Sequence, residues 1–151
     1  MADTRAYGEA ERWIREVGLP IHFQGQHFEK RDLRVGTRRN GEPGYHSFDA
    51  VSQDGQIVAS IKASSGLTSG GKLPVGKTKD AYTELHFLSL VSAPQRILVL
   101  TDPDFHRIFS DVSDGRLPIG VEVLHIPLPQ EIQARVRAAR NVASTEAYPN
   151  R

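Results

Sequence analysis

Two residues of this chain invite chemistry together, the carboxylate of Asp49 and the amine of Lys62. They belong to YHSFDAVSQDGQIVASIKAS, residues 45 to 64, which reads as two extended runs joined at Asp54-Gly55. Asp-Gly between apolar runs favours a two-residue hairpin turn, because both positions tolerate positive φ. With that turn as the loop, Val51 faces Val58, Asp49 faces Ser60 and Ser47 faces Lys62. Side chains alternate along a strand, so Asp49, Ser60 and Lys62 are expected on one face and Phe48, Ala50, Ala59 and Ile61 on the other. His46 goes with Phe48, away from Asp49. A carboxylate so placed is a hard oxygen ligand suited to magnesium. A lysine beside such an ion can orient a water and stabilise charge on a phosphate under attack. The same arrangement also makes an ordinary cross-strand salt bridge of little energetic weight.

The elements around this hairpin can be read from periodicity. Residues 6 to 17 place Ala10, Trp13, Ile14 and Val17 on one side at helical spacing, with Asp3 or Thr4 as cap and Gly18 with Pro20 as stop. Residues 19 to 31 suit a short strand and a loop. Asp32 to Arg39 extends and turns at Asn40-Gly41, and Pro43-Gly44 suggests a bulge or loop before the hairpin. A helix is expected from Lys79 to Val91, with Ala81, Leu85 and Leu88 on one stripe and Tyr82, Phe87, Leu90 and Val91 widening it. Arg96 to Thr101 is a continuous apolar run, the pattern of a strand covered on both faces. A short helix to Phe109, a strand from Val121 to Ile126 and a polar helix from Pro129 to Val142 complete the order. The expectation is an α/β domain spanning residues 1 to 151, with one mixed sheet flanked by helices and a frayed tail from 143 onward.

Between the hairpin and the third helix lies a Gly/Ser/Lys-rich loop. Within it, Gly71-Lys72-Leu73-Pro74-Val75-Gly76-Lys77-Thr78 satisfies the G-x-x-x-x-G-K-[ST] phosphate-loop pattern, and Ile97 to Asp102 mimics the strand that would end near magnesium. A phosphate loop's first glycine closely follows its strand, whereas Gly71 trails well behind Ala63. Nucleotide hydrolysis is therefore the lesser reading. The loop reads better as an arm whose Lys72, Lys77 and Lys79 touch a phosphate backbone, with Arg38 and Arg39 of the first turn as a second basic group.

The element order and the residues Phe48-Asp49, followed by Ser60-Ile61-Lys62, resemble the restriction-endonuclease-like, PD-(D/E)XK nuclease superfamily. The likeness spans residues 6 to 126 as an order of elements. It implies a restriction-endonuclease-like core and a magnesium- or manganese-dependent endonuclease that hydrolyses DNA phosphodiesters, with Asp49 as metal ligand and Lys62 positioning the attacking water. Two positions depart from the pattern. Phe48 stands where proline is usual, and Ser60 stands where the second acid is expected, so a carboxylate must come from elsewhere. Some restriction enzymes of the superfamily draw it from the following helix, which implies Glu84 as a catalytic and metal-binding residue. A glutamate amid Ala81, Leu85 and Leu88 wants a partner, and a metal shared with Asp49 would be one. Glu11 is a second candidate ligand, because residues 8 to 12 resemble the first helix of archaeal junction resolvases. Glu9, Glu11 and Glu16 also suit an ordinary helix surface. The alternative implied by Ser60 is a nuclease fold without catalysis that binds DNA or protein.

Composition bounds these readings. At 151 residues, 38% apolar and 25% charged, the chain can bury a core. It has no cysteine, which excludes disulfides, thiol catalysis and cysteine-bound zinc and fits a cytoplasmic setting. The net charge of +1 does not by itself announce nucleic acid. The six histidines show no metal spacing. No apolar run suits a membrane span or a signal peptide. So small a chain has little room for a sequence-reading domain. The expected partners are therefore DNA and a second copy of the chain, or a larger defence or repair system.

Overall fold

A computed structural model describes residues 5–63, 67–68 and 70–147, with side chains as far as Asn141. Five strands form one mixed sheet in the order β1-β2-β3-β4-β5: β1 Phe28–Thr37, β2 Pro43–Ser52, β3 Ile57–Lys62, β4 Gln95–Leu100 and β5 Val121–His125. β1, β2 and β3 are an antiparallel meander, whereas β3, β4 and β5 run parallel. Parallel neighbours need a long crossover. Helix α3 (Val75–Leu90) supplies the first and α4 (Pro103–Val112) the second. Both pack on one face with Phe48, Val51, Val58 and Leu98. The other face, carrying Ala50, Ala59, Ile61 and Val99, is covered by α1 (Arg5–Trp13) and α5 (Gln130–Ala147). The α/β architecture with one mixed sheet between helices is the one expected from the sequence. β4 is buried on both faces, which is why RILVLT carries no polar alternation.

The first helix departs from expectation in an instructive way. Gly18 and Pro20 do not end it. A π-turn over Ile14–Gly18 closes with the Leu19 N–H on the Ile14 carbonyl, and a last turn, α2, runs from Leu19 to His22. The extra residue rotates the apolar stripe, so Gly18 and Leu19 are buried and Val17 is 39% exposed. A Cβ on Gly18 would lie 3.0 Å from the Trp13 ring and 3.1 Å from Ile126, so glycine here is a packing requirement and not a stop.

Other boundaries shift for local reasons. β1 begins at Phe28, which is buried, rather than at Asp32. The irregularity expected at Pro43-Gly44 falls on the partner strand, where Val35 is the extra residue between the Arg34–Tyr45 and Gly36–Gly44 pairs. Helix α3 starts at Val75 behind Pro74, ahead of the expected Lys79. It buries Ala81, Leu85 and Leu88 but leaves Leu90 44% exposed, so it is covered on one side only. Helix α5 continues through Ala147, past the residue where fraying was expected. The Asp3/Thr4 cap, parts of the glycine-rich loop (64–66 and 69) and residues 148–151 lie outside the described residues.

A candidate carboxylate site at a strand bulge

The Asp54-Gly55 turn forms as expected, with Gly55 at φ +74°, and Val51–Val58 and Ala50–Ala59 pair in the expected register. What alternation alone could not show is a bulge on the other edge of β2. Glu29 pairs with Val51 and Arg31 with Phe48, so Asp49 and Ala50 together stand opposite Lys30. The extra residue reverses the alternation. Phe48 therefore lies on the α3 face with Val51 and Val58, not with Ala50, Ala59 and Ile61. His46 stays with Phe48 on that face, as expected, and there meets Glu84.

Two hydrogen bonds hold the bulged residue Asp49. The Ile61 N–H donates to Asp49 Oδ2 at 2.7 Å, so the carboxylate takes the place of a ladder carbonyl. The Asp49 carbonyl accepts from the Arg15 guanidinium at 3.1 Å. Asp49 is thus held by two elements, its side chain by β3 and its backbone by the π-turn. The cross-strand salt bridge that the hairpin suggested is not formed, for among the described residues no ion pair joins Asp49 to Lys62.

Two further carboxylates surround it. Burial pushes the Asp49 carboxyl up to about 6, against the Ile61 hydrogen bond, which lowers it. Glu11, within reach of sharing a proton with it, raises it further, and the charge of Glu84 adds to this. Glu84 answers the question posed by Ser60. The Ser60 hydroxyl, fully buried, donates to Glu84 Oε2 at 2.8 Å. Where an acid was expected on β3, a donor instead fixes an acid on α3. His46 Nε2 stands 3.4 Å from the same oxygen, with its ring stacked on Phe87 at 3.7 Å and 4°. Glu11 is held differently, by Arg15 at 3.1 Å and Lys30 at 3.5 Å.

Asp49, Glu84 and Glu11 are therefore gathered from β2, α3 and α1, and all three offer hard oxygens suited to magnesium or manganese. Among the described residues no three His, Cys, Asp or Glu side chains close into a ready-made metal cage. The donor chemistry fits a divalent cation, since like charges crowd Asp49 and a cation would relieve them. Lys62 closes β3 on the face of Ser60, half-buried, and its carbonyl accepts from the Thr101 N–H at 3.3 Å.

The basic residues divide. Lys77 lies in the first turn of α3, 5.8 Å from the Tyr7 ring, and Tyr7 is one helical turn from Glu11. Lys72 and Lys79 are exposed nearby in sequence. Arg38 and Arg39 are exposed at the β1–β2 turn, beside Asn40, roughly 20 Å along β2 from Asp49. They are not part of the carboxylate cluster. The phosphate-loop pattern is split, its last four residues forming the first turn of α3 and the Thr78 hydroxyl donating to the Pro74 carbonyl at 2.9 Å. Glu9 binds Arg135 of α5, and Glu16 is exposed. Sequence reasoning missed Arg15 and His46. The first was legible as a Glu11–Arg15 helix pair, whereas the second needed the bulge.

No family model and no curated protein matches the chain. Among solved structures, a crystal structure of a protein of unknown function, AF1548, is similar over 91% of this chain and 67% of its own, with 10% identity and a TM-score of 0.43. A likeness of that size carries no argument about activity. Among the described residues no helix is long and apolar enough to cross a membrane.

Proposed function

We propose that the chain is a divalent-metal-dependent endonuclease that hydrolyses DNA phosphodiesters, in the manner of the nuclease superfamily it resembles in sequence order. The observation that carries this reading is the hydrogen bond from Ser60 to Glu84. It explains how a strand lacking the second acid can still be matched with two carboxylates, Asp49 and Glu84, with Lys62 two residues along β3 from Ser60. A magnesium or manganese ion held by Asp49 and Glu84, with Glu11 behind, would supply Lewis-acid polarisation of the phosphate and a more acidic water.

The chain's own residues do the rest. Ser60 and His46 orient Glu84, while Ile61 and Arg15 hold Asp49. The Lys62 ammonium would position the attacking water and offset charge developing on the phosphoryl oxygens. Lys77, Lys72 and Lys79 meet the flanking backbone, and Arg38 and Arg39 reach a more distant phosphate.

The test is cleavage of plasmid, duplex and branched DNA with magnesium or manganese. Wild type is expected to cut, and Asp49→Ala and Lys62→Ala are expected not to. Cleavage that survives both substitutions excludes the reading. A second reading, a nuclease fold that binds DNA or protein without cutting, is favoured by Arg15 and Lys30, which already neutralise Glu11. It expects salt-dependent DNA binding with no cleavage at any metal concentration.

A further inference from the structure

Helices from both sides of the sheet meet around one tyrosine. Tyr7 of α1 packs against the core cluster that holds Val136 and Ala139 of α5. Lys77 belongs to α3, which covers the opposite face, yet its Nζ stands 5.8 Å from the centre of the Tyr7 ring. The contact passes around the end of the sheet from which α3 sets out, where β3 closes at Lys62. Arg140 of α5 joins them. Burial raises the Tyr7 hydroxyl above its ordinary value, and the Arg140 charge works against that rise. One Arg140 nitrogen donates to the Leu67 carbonyl at 2.7 Å, in the segment between β3 and α3.

Two cations thus come to one phenol with no acid between them. Among the described residues neither Lys77 nor Arg140 forms an ion pair, and the Tyr7 hydroxyl and Lys77 Nζ have no hydrogen-bond partner. Neighbouring cations on the same helices are matched, Arg15 to Glu11 and Arg135 to Glu9. Tyr7 and Lys77 are open to solvent in part or fully, and Arg140 is half-buried. Like charges gathered without an acid repel, and a bound anion relieves them. A hydroxyl, an ammonium and the remaining edge of a guanidinium suit the oxygens of a phosphate. The cluster also borders the carboxylates. Tyr7 is one turn of α1 from Glu11, on the same strip of the helix, and Glu11 acts directly on Asp49.

We propose that Tyr7, Lys77 and Arg140 together hold one phosphate of the DNA strand, flanking the phosphate under attack at Asp49 and Glu84. That the phosphate belongs to DNA rests on the nuclease reading above, whereas the preference for a phosphate rests on the cluster's own charges. Lys77 supplies a point charge, Arg140 part of its planar fork and Tyr7 a directional hydroxyl. Such a contact fixes the register of the strand over the carboxylates and carries no base preference.

The experiment is fluorescence anisotropy of a labelled DNA duplex with the full chain, without divalent metal, over a series of KCl concentrations. Lys77→Gln and Arg140→Gln are each expected to weaken binding about tenfold and to lower the salt slope by about one. Because both hold the same phosphate, the double variant should lose clearly less than the product of the two single losses. Tyr7→Phe keeps the ring, removes the hydroxyl and should weaken binding about threefold. Lys77→Arg keeps the charge and should restore the slope, and Arg135→Gln should leave binding within about twofold. Lys77 is exposed, so Lys77→Gln tests the contact whether or not Arg140→Gln folds. Unchanged binding by Lys77→Gln, losses that multiply as independent contacts do, or an equal loss in Arg135→Gln overturns the proposal. Inorganic phosphate is a separate arm, read by amide-resolved NMR. Phosphate shifts at Tyr7 and Lys77 with DNA binding unchanged in the variants identify a site for a free anion, and overturn the strand assignment. Cleavage by the same preparations separates the two readings. The expected binding losses without Asp49-dependent cleavage sink the nuclease reading alone, and cleavage with binding insensitive to Lys77 and Arg140 sinks the phosphate contact alone.

Discussion

Asp49 and Asp54 stand on the same hairpin, each accepting a backbone N–H through a carboxylate oxygen, and their acidities move in opposite directions. Asp54 takes the Gln56 N–H at 3.0 Å and the Ser52 hydroxyl at 2.7 Å at the fully exposed turn, and these bonds hold its carboxyl below the usual range. Asp49 takes the Ile61 N–H at 2.7 Å, yet burial, Glu11 and Glu84 raise it to about 6. The local hydrogen bond is nearly the same, so surroundings decide the sign. In water a carboxylate–amide bond simply secures a turn. Beside two other acids, below a bulge, the carboxylate is kept short of counter-charge, the condition a hard cation relieves.

Substitution at the two carboxylates separates their roles. The largest difference is expected in DNA cleavage. Asp49→Ala and Lys62→Ala should each lower kcat by about 10²–10³-fold or more, whereas Asp54→Ala should leave it within about twofold. Equal losses at Asp49 and Asp54 would mean that both act only through the fold.

Next comes stability against pH. The folded carboxyl of Asp49 is raised, so between its ordinary 3.8 and about 6 the folded state binds the proton more tightly than the unfolded state. Its contribution is therefore greatest below 3.8 and is lost as pH rises toward 6, on the order of 3 kcal/mol in all. Denaturant unfolding at successive pH values should show this slope in wild type and not in Asp49→Asn. Asp54 has the opposite sign. Its contribution is present at neutral pH and lost as pH falls below 3.8, and Asp54→Asn should remove only that acid limb.

Smaller effects follow. Ser60→Ala leaves Glu84 without its buried donor and should cost about 1–2 kcal/mol, with roughly tenfold slower cleavage, both measurable on one preparation. At the turn, Gly55→Ala forces a side chain into φ +74° and should cost about 1 kcal/mol with cleavage unchanged.

How much of this was legible in the sequence follows the same division between the two ends of the hairpin. The turn end is local chemistry, and Asp-Gly announced both the loop and the Val51–Val58 register. The bulge depends on β1, whose pairing with β2 is set by residues distant in sequence. In Phe48-Asp49-Ala50-Val51, three apolar residues around one acid fit either a regular or a bulged strand, so alternation could not choose between them. The π-turn was hidden likewise, because Gly18 followed by Pro20 reads as a stop until Trp13 and Ile126 are seen to need the space. Glu84 was legible as an acid out of place in an apolar helix. That Ser60 would hold it was not, since the β3–α3 contact spans a long loop. Lys77 read as loop because glycine stands beside it, yet the helix behind Pro74 already starts at Val75.

The most direct measurement is a carboxyl-resolved NMR titration of Asp49 and Asp54, with and without millimolar magnesium. The account predicts that Asp49 titrates near 6 without magnesium and falls by a unit or more with it, while Asp54 stays below 3.8 in both. An Asp49 that titrates near 4 and ignores magnesium would contradict it.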